Sequence, residues 1–498
     1  MRLRYIWSGS IRSEAIRSNL GGDRVGEVLR PDLCVIGAGS GGLSVAAIAA
    51  SFGVPVVLVE KGRMGGDCLN FGCVPSKSLL AAAKAAAAWR KGAAFGVDGT
   101  APTIDWARVR AHLAGVIASI APHDSVERFE GLGVRVLRAE ARFTGPDALV
   151  AGDVTVRARR FVIATGSEPL VPPIPGLDGV PFLTNETVFG IEHLPRHLLV
   201  LGGGPIGAEL AQAFRRLGAE VTLIEAARIL PKDDEEAAAL VRASLAADAV
   251  RILEGAKAVR VAAEAASITL TFAREGREET VSGSHLLLAV GRKPTVAGLD
   301  LEAAGVALDK GGIRVDAHLR TTNRRIYAAG DVVGGPQFTH MAGHHAGVVV
   351  RNALFGLSAK VERKAVPWVT FTDPELAQVG LTEAAARQQG QEVAILRSSF
   401  EESDRARAER LGEGFVKIVA TPKGAVLGAT VVGSGAGELI LPWVLAMQNG
   451  IALKAMAKVI APYPTLGEVG KRAAGSFFTA RLFGAGMRRA VRLLQRLP

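Results

Sequence analysis

The chain has 498 residues, about three times the ~150 typical of one domain, which excludes a small disulfide scaffold and a lone binding module. Apolar types make up 49% and charged types 21%, the balance of a globular chain rather than of a disordered or multi-span membrane one. The net charge of +11 sits almost wholly in two tails: Arg2, Arg4, Arg12, Arg17, Arg24 and Arg30 against Glu14, Asp23 and Glu27 at the start, and Lys471, Arg472, Arg481, Arg488, Arg489, Arg492 and Arg496 with no acid at the end. The long middle is nearly neutral, so no nucleic-acid groove is expected on the body.

Residues 1–30 are expected to form a flexible basic segment. They lack the apolar core of a secretory signal, and although Arg-rich like a transit peptide they read better as a disordered start. Asp32-Leu-Cys-Val-Ile then reads as a buried strand that enters a glycine turn, Gly37, Gly39 and Gly42 in the order Gly-x-Gly-x-x-Gly, and an Ala-rich helix. A second strand, Val56-Val-Leu-Val, ends on Glu60, 23 residues after the first glycine. The longest apolar stretch, Leu43 to Val59, is broken by Ser51, Gly53 and Pro55, so no transmembrane helix is expected.

Next comes Gly65-Gly-Asp-Cys68-Leu-Asn-Phe-Gly-Cys73-Val-Pro-Ser-Lys77, leading into a helix expected from near Ser78. Two thiols five positions apart meet if the turn between them bends the chain. With Cys34 they are the only three cysteines, which excludes a disulfide framework and points to a reducing compartment. There such a pair reads as redox-active. Zinc is the competing reading, but no second Cys or His pair completes four ligands, and no metal site is assigned.

Phe161-Val-Ile-Ala-Thr-Gly is an apolar strand ending in small residues. His197-Leu-Leu-Val-Leu then repeats the opening design 165 positions on, with Gly202, Gly204 and Gly207, an Ala-rich helix, and Val221-Thr-Leu-Ile ending on Glu225, again 23 residues after the first glycine. One such pattern is weak evidence; two with matched spacing are strong. Glycines let the backbone approach a pyrophosphate, the helix N-terminus offers free N–H groups, and the acid accepts a ribose hydroxyl, so Glu60 and Glu225 are expected to hold two adenosine dinucleotides. Leu286-Leu-Leu-Ala-Val-Gly and Ile326-Tyr-Ala-Ala-Gly-Asp331 are further strands returning from these units. From Leu381 the pattern changes to mixed strands and helices without a dinucleotide motif, which reads as a separate C-terminal domain.

Residues 65–77, the two glycine units and Tyr327-Ala-Ala-Gly-Asp331 together resemble the flavoprotein disulfide reductases, which include glutathione reductase, lipoamide dehydrogenase and mercuric reductase. The resemblance, over about residues 31–475, implies an α/β fold with two Rossmann-like domains, one binding FAD over 31–171 and 292–356 and one binding NAD(P) over 172–291, and an α+β dimerisation domain over 357–475; a basic tail follows over 476–498. It implies a homodimer with FAD on Gly37, Gly39, Gly42, Glu60 and Asp331, and a reduced nicotinamide on Gly202, Gly204, Gly207 and Glu225. It further implies a Cys68–Cys73 disulfide with Cys73 as the charge-transfer thiolate and Cys68 as the interchange thiol, and a Lys77–Glu209 ion pair near the flavin. NADH is favoured, because a carboxylate at Glu225 repels the 2′-phosphate of NADPH; Arg228 lies near enough to oppose this.

The sequence departs from the family in three places. Disulfide-exchanging members carry a C-terminal His-Pro-Thr followed by Glu, whereas this chain reads Tyr463-Pro-Thr-Leu-Gly-Glu468, and its last histidine is His345. A phenol with a pKa of about 10 is a poor base beside an imidazole at about 6.5, which counts against lipoamide or glutathione exchange. Tyr463, Glu209-Leu-Ala-Gln-Ala-Phe-Arg-Arg-Leu-Gly218 and Val369-Thr-Phe-Thr-Asp-Pro374 look instead like the mercuric reductase branch. That branch ends in a Cys pair and carries a metal-capture domain, and neither is expected here. Asp67 stands where Thr is usual before the first Cys, and is expected to disfavour a Cys68 thiolate. The sequence thus reads as a cytoplasmic, mercuric reductase-like NAD(P)H oxidoreductase passing electrons through FAD and a dithiol to a metal ion or other small acceptor. Dihydrolipoamide dehydrogenase and a membrane-docked electron-transfer subunit are the alternatives. The last supposes that Met487, Ala490, Val491, Leu494 and Leu497, at helical spacing among arginines, touch a membrane surface.

Overall fold

The computed structural model describes residues 26–264 and 267–496. The expectations for the first 25 residues and for Leu497 lie outside the described residues. β1 (Leu33–Ile36) is a run of four fully buried apolar residues, as a strand covered on both faces must be. The glycine turn feeds α1 (Ser40–Ser51), whose Leu43, Val45, Ala46 and Ala49 face the core, and β2 (Val56–Val59) follows. The redox segment folds as a five-residue helix α2 (Gly66–Asn70) and a long α3 (Cys73–Gly92). α3 therefore starts at Cys73 itself rather than near Ser78. Pro75 falls in its first turn, where the missing N–H costs no intrahelical bond.

β3 (Val134–Leu137) and β4 (Arg160–Ile163) continue the first sheet. The second unit runs β5 (His197–Leu201), α4 (Pro205–Arg216), β6 (Glu220–Ile224), α5 (Glu235–Ala247), β7 (Arg251–Leu253) and β8 (His285–Leu288). Its strands lie parallel in the order β7-β6-β5-β8. The chain then returns to the first unit through β9 (Ile326–Ala328), giving a five-stranded parallel sheet β9-β4-β1-β2-β3, and α6 (Thr339–Ala353) packs on α1. Both sheets are of the doubly wound kind that place ligands at the carboxyl ends of their strands.

The last unit is antiparallel: β10 (Pro367–Thr370), β11 (Glu375–Gly380), β12 (Ala394–Ser399), β13 (Phe415–Ala420) and β14 (Val426–Gly433) pair in the order β10-β11-β14-β13-β12. It begins ahead of Leu381, where the change of sequence pattern alone put the boundary, because the Thr-Asp-Pro turn after β10 folds Pro367–Thr370 back on β11. α7 (Glu468–Leu482) covers this sheet with Val469, Ala473 and Ala474 fully buried, and α8 (Ala485–Leu494) follows. Polar contacts fasten the second unit to this sheet. Lys417 of β13, nearly buried, reaches Asp234 Oδ1 at 2.9 Å and Glu236 at 2.8 Å, and Trp368 Nε1 donates to Asp233 at 2.7 Å. Among the described residues no helix is long and apolar enough to cross a membrane.

Candidate active site

The two glycine turns are built alike. Gly37 and Gly202 sit at φ +103° and +113°, and a Cβ on Gly42 or Gly207 would stand 1.9 Å from the carbonyl oxygen of Gly37 or Gly202. Only glycine lets each helix start this close to its strand. No side chain caps α1 or α4, so their first N–H groups face the cleft with the positive end of the helix dipole. The acids also match: Glu60 accepts from Ala38 N at 2.6 Å and Gly62 N at 2.5 Å, and Glu225 from Gly203 N at 2.6 Å and Ala227 N at 2.8 Å. Each carboxylate thus closes its turn from the ribose side. Arg228 is turned away, its guanidinium donating to the carbonyls of Leu230, Pro231 and Asp233.

One cleft of about 1810 Å³ takes in both turns, Glu60, Glu225, Asp331, both redox cysteines, Lys77 and Glu209. Pockets for one small molecule run to about 1,000 Å³, so this volume suits two dinucleotides meeting end to end. Asp331 accepts from Ser167 Oγ at 2.7 Å, and burial raises its carboxyl pKa. The residues present therefore fit FAD in the first turn and a nicotinamide dinucleotide in the second.

Cys68, Cys73, Lys77 and Glu209 converge where the two halves of the cleft join. Cys68 and Cys73 lie close enough for each sulfur to act on the other's proton affinity. Cys73 is the first residue of α3, at the positive end of a 20-residue helix. Thr339 Oγ1, at the start of α6, lies 3.5 Å from Cys73 Sγ, and Ser40, at the start of α1, hydrogen-bonds Cys68. The pair is thus strongly polarised. The hydrogen bond from Cys68, aided by Thr339 and Lys77 against the effect of burial, lowers the Cys73 thiol to about 6. The same bond, with burial, pushes Cys68 well up. Cys34, sealed inside β1, is raised by burial alone.

Lys77, one turn after Cys73 on α3, meets Glu209 of α4 at 2.7 Å and lies 4.5 Å from the Phe371 ring centroid. Glu209 is buried, and its other oxygen accepts from Phe371 N at 2.8 Å. Asp67, before the first cysteine, is drawn to Arg292 at 3.3 Å and Asn185 at 3.0 Å, and its charge disfavours the Cys73 thiolate. Arg292 also donates to Ser167 and Asn185, tying the redox turn to the crossing between the two units.

Tyr463 and Glu468 are not in this cleft. Tyr463 is 69% exposed on the C-terminal unit and donates to Asp404 at 3.0 Å, while Glu468 opens α7 without contacting the phenol. Asp404, not Glu468, is therefore the acid that holds Tyr463; it is the first residue of a short helix, Asp404–Ala408, capped by Ser403. Sequence reasoning missed Asp404, Thr339 and Arg292, which reach their places by tertiary packing with no local motif to announce them; Ser40 and Phe371 lie within the first glycine turn and the Val369–Pro374 stretch, but neither was given a role there.

The family described as pyridine nucleotide-disulphide oxidoreductase matches residues 31–346, and its dimerisation domain matches residues 366–474. A mercuric reductase of Streptomyces lividans is 37% identical over 454 residues, covering 90% of this chain and 96% of that protein. A dihydrolipoyl dehydrogenase of Thermus scotoductus is 38% identical over 449 residues, covering 88% and 95%. Among solved structures, LpdA from Mycobacterium tuberculosis superposes with a TM-score of 0.82 at 29% identity, covering 90% of this chain and 99% of that one. A Cu(II) complex of the HOCl-induced flavoprotein disulfide reductase RclA from Escherichia coli gives 0.79 at 28%, covering 88% and 98%.

Proposed function

The chain belongs to the pyridine nucleotide-disulphide oxidoreductases, FAD-dependent enzymes that use NAD(P)H, and from that premise we propose that it passes electrons from NADH to a soft metal ion, with Hg(II) as the first candidate. Its C-terminal unit matches the family's dimerisation domain, and the working unit is a homodimer. The observation that carries the reading is the asymmetric dithiol, with a low-pKa Cys73 at a helix N-terminus beside the Lys77–Glu209 pair.

Gly37, Gly39, Gly42, Glu60 and Asp331 would hold FAD, which would supply the relay between the nicotinamide and the disulfide. The chain's own residues do the rest. Gly202, Gly204 and Gly207 seat the pyrophosphate of NADH on the start of α4, and Glu225 takes the ribose hydroxyl. Lys77 sets a positive charge beside Cys73, and buried Glu209 holds that ammonium in place. When the Cys68–Cys73 bond takes up two electrons and one proton, Cys73 keeps the negative charge and Cys68 the proton, as their opposite shifts require. Two sulfurs presented this way suit a soft cation, to which the dithiol passes two electrons as the disulfide re-forms and Cys68 releases its proton.

Tyr463 is exposed on the dimerisation unit; in this reading it serves the cleft of the partner subunit, where it offers a phenol and no imidazole. This separates the reading from dihydrolipoamide dehydrogenase, whose thiol exchange needs a base. With only three cysteines in the chain, its composition favours a reducing, cytoplasmic setting. Steady-state NADH oxidation is measured with Hg(II) plus excess thiol, with lipoamide and with a quinone. Turnover with Hg(II) and background rates with lipoamide are expected; efficient lipoamide turnover would overturn the assignment.

A further inference from the structure

α8 lies beyond residue 474, where the match to the dimerisation domain ends, and so outside the matched fold. Every residue of α8 is exposed, and it buries nothing against the body. At 100° per residue, Met487, Ala490, Val491 and Leu494 share one face, while Arg488, Arg489, Arg492 and Arg496 crowd the opposite one. Met487, Val491 and Leu494 are 46%, 43% and 63% exposed, and the preceding Leu482 and Phe483 are 55% and 64% exposed. No acid follows Glu468.

We infer that α8 docks the dimer on an anionic lipid surface, laying its apolar face into the headgroup layer with its arginines against lipid phosphates. Charge complementarity selects this occupant. A second copy of α8 would bring four like charges against four, and a nucleic acid would leave the apolar stripe unburied. Both parts of the helix are satisfied together only at a membrane interface, where each basic residue adds about fivefold in affinity. A homodimer presents two such helices, and simultaneous engagement raises the apparent affinity further. The inference is independent of the electron acceptor.

The test is co-sedimentation of the FAD-loaded full chain with phosphatidylglycerol/phosphatidylcholine vesicles and with pure phosphatidylcholine vesicles, at low and high salt. Binding at least tenfold stronger to the anionic vesicles, released by salt and lost in a chain ending at Phe483, is the expected result. Arg488→Glu with Arg492→Glu, and separately Val491→Asp with Leu494→Asp, should each abolish binding while NADH oxidation stays at the wild-type rate. Equal binding by the shortened chain would overturn the inference. So would tail-dependent binding to RNA without vesicle binding, or a tail-dependent increase in oligomeric state without it.

Discussion

At the scale of single residues, charge placement around Cys73 decides the chemistry. A thiol lowered to about 6 is mostly thiolate above that pH and mostly protonated below it. In the reduced enzyme, iodoacetamide alkylation of Cys73 should therefore rise as pH increases through about 6, read by peptide mapping. Asp67 works against the thiolate, while Arg292 at 3.3 Å partly offsets it. Asp67→Asn keeps the hydrogen-bonding shape but removes the negative charge, so the alkylation midpoint should move to lower pH; Arg292→Gln should move it higher. An unmoved midpoint in both variants would show that the network only holds the turn. The coenzyme is a second residue-scale matter. With Arg228 turned onto three backbone carbonyls, Glu225 meets a 2′-phosphate unopposed. NADH should be preferred about tenfold in kcat/KM, roughly 1.4 kcal/mol of transition-state binding, and Glu225→Gln should narrow the gap.

At the scale of elements, the strand-turn-helix units were legible in the sequence because local rules dictate them. Four-residue apolar strands, glycines at fixed offsets and an acid 23 residues on all act within one unit, and the structure holds both units as expected. The start of α3 was not legible, because the Ala-rich run after Ser78 masks a helix that already begins at Cys73. Yet that boundary places the thiol at the dipole's positive end. Equal glycine geometry allows paired tests. Gly42→Ala would drive a Cβ to 1.9 Å from Gly37 O, and the purified variant should be colourless, with FAD absent by absorbance. Gly207→Ala makes the matching clash with Gly202 O in the second unit. It should stay yellow but bind NADH at least tenfold more weakly, a loss of about 1.4 kcal/mol. A yellow Gly42→Ala protein would show that the first turn does not hold the flavin.

Across the whole molecule, contacts between units carry what the sequence could not show. Lys417 and Asp234 are 183 positions apart, yet they form a nearly buried pair between the antiparallel sheet and α5. Breaking such a pair costs about 3–5 kcal/mol, so Lys417→Ala should lower the urea midpoint clearly, whereas Lys61→Ala, at an exposed pair, should leave it unchanged. Tyr463 was legible as a departure, but its acid partner was not: Asp404 lies 59 positions away and Glu468 only five. Tyr463→His should raise lipoamide turnover if the dimer admits a disulfide, and double substitution with Asp404→Asn should reduce that gain. Everything proposed for the cleft turns on the negative charge that Cys73 keeps once the pair is reduced. Anaerobic titration with NADH, followed by absorbance, reads that charge. Long-wavelength charge-transfer absorbance should appear in the wild-type protein and be absent in Cys73→Ser while persisting in Cys68→Ser; the same band in Cys73→Ser would contradict the account.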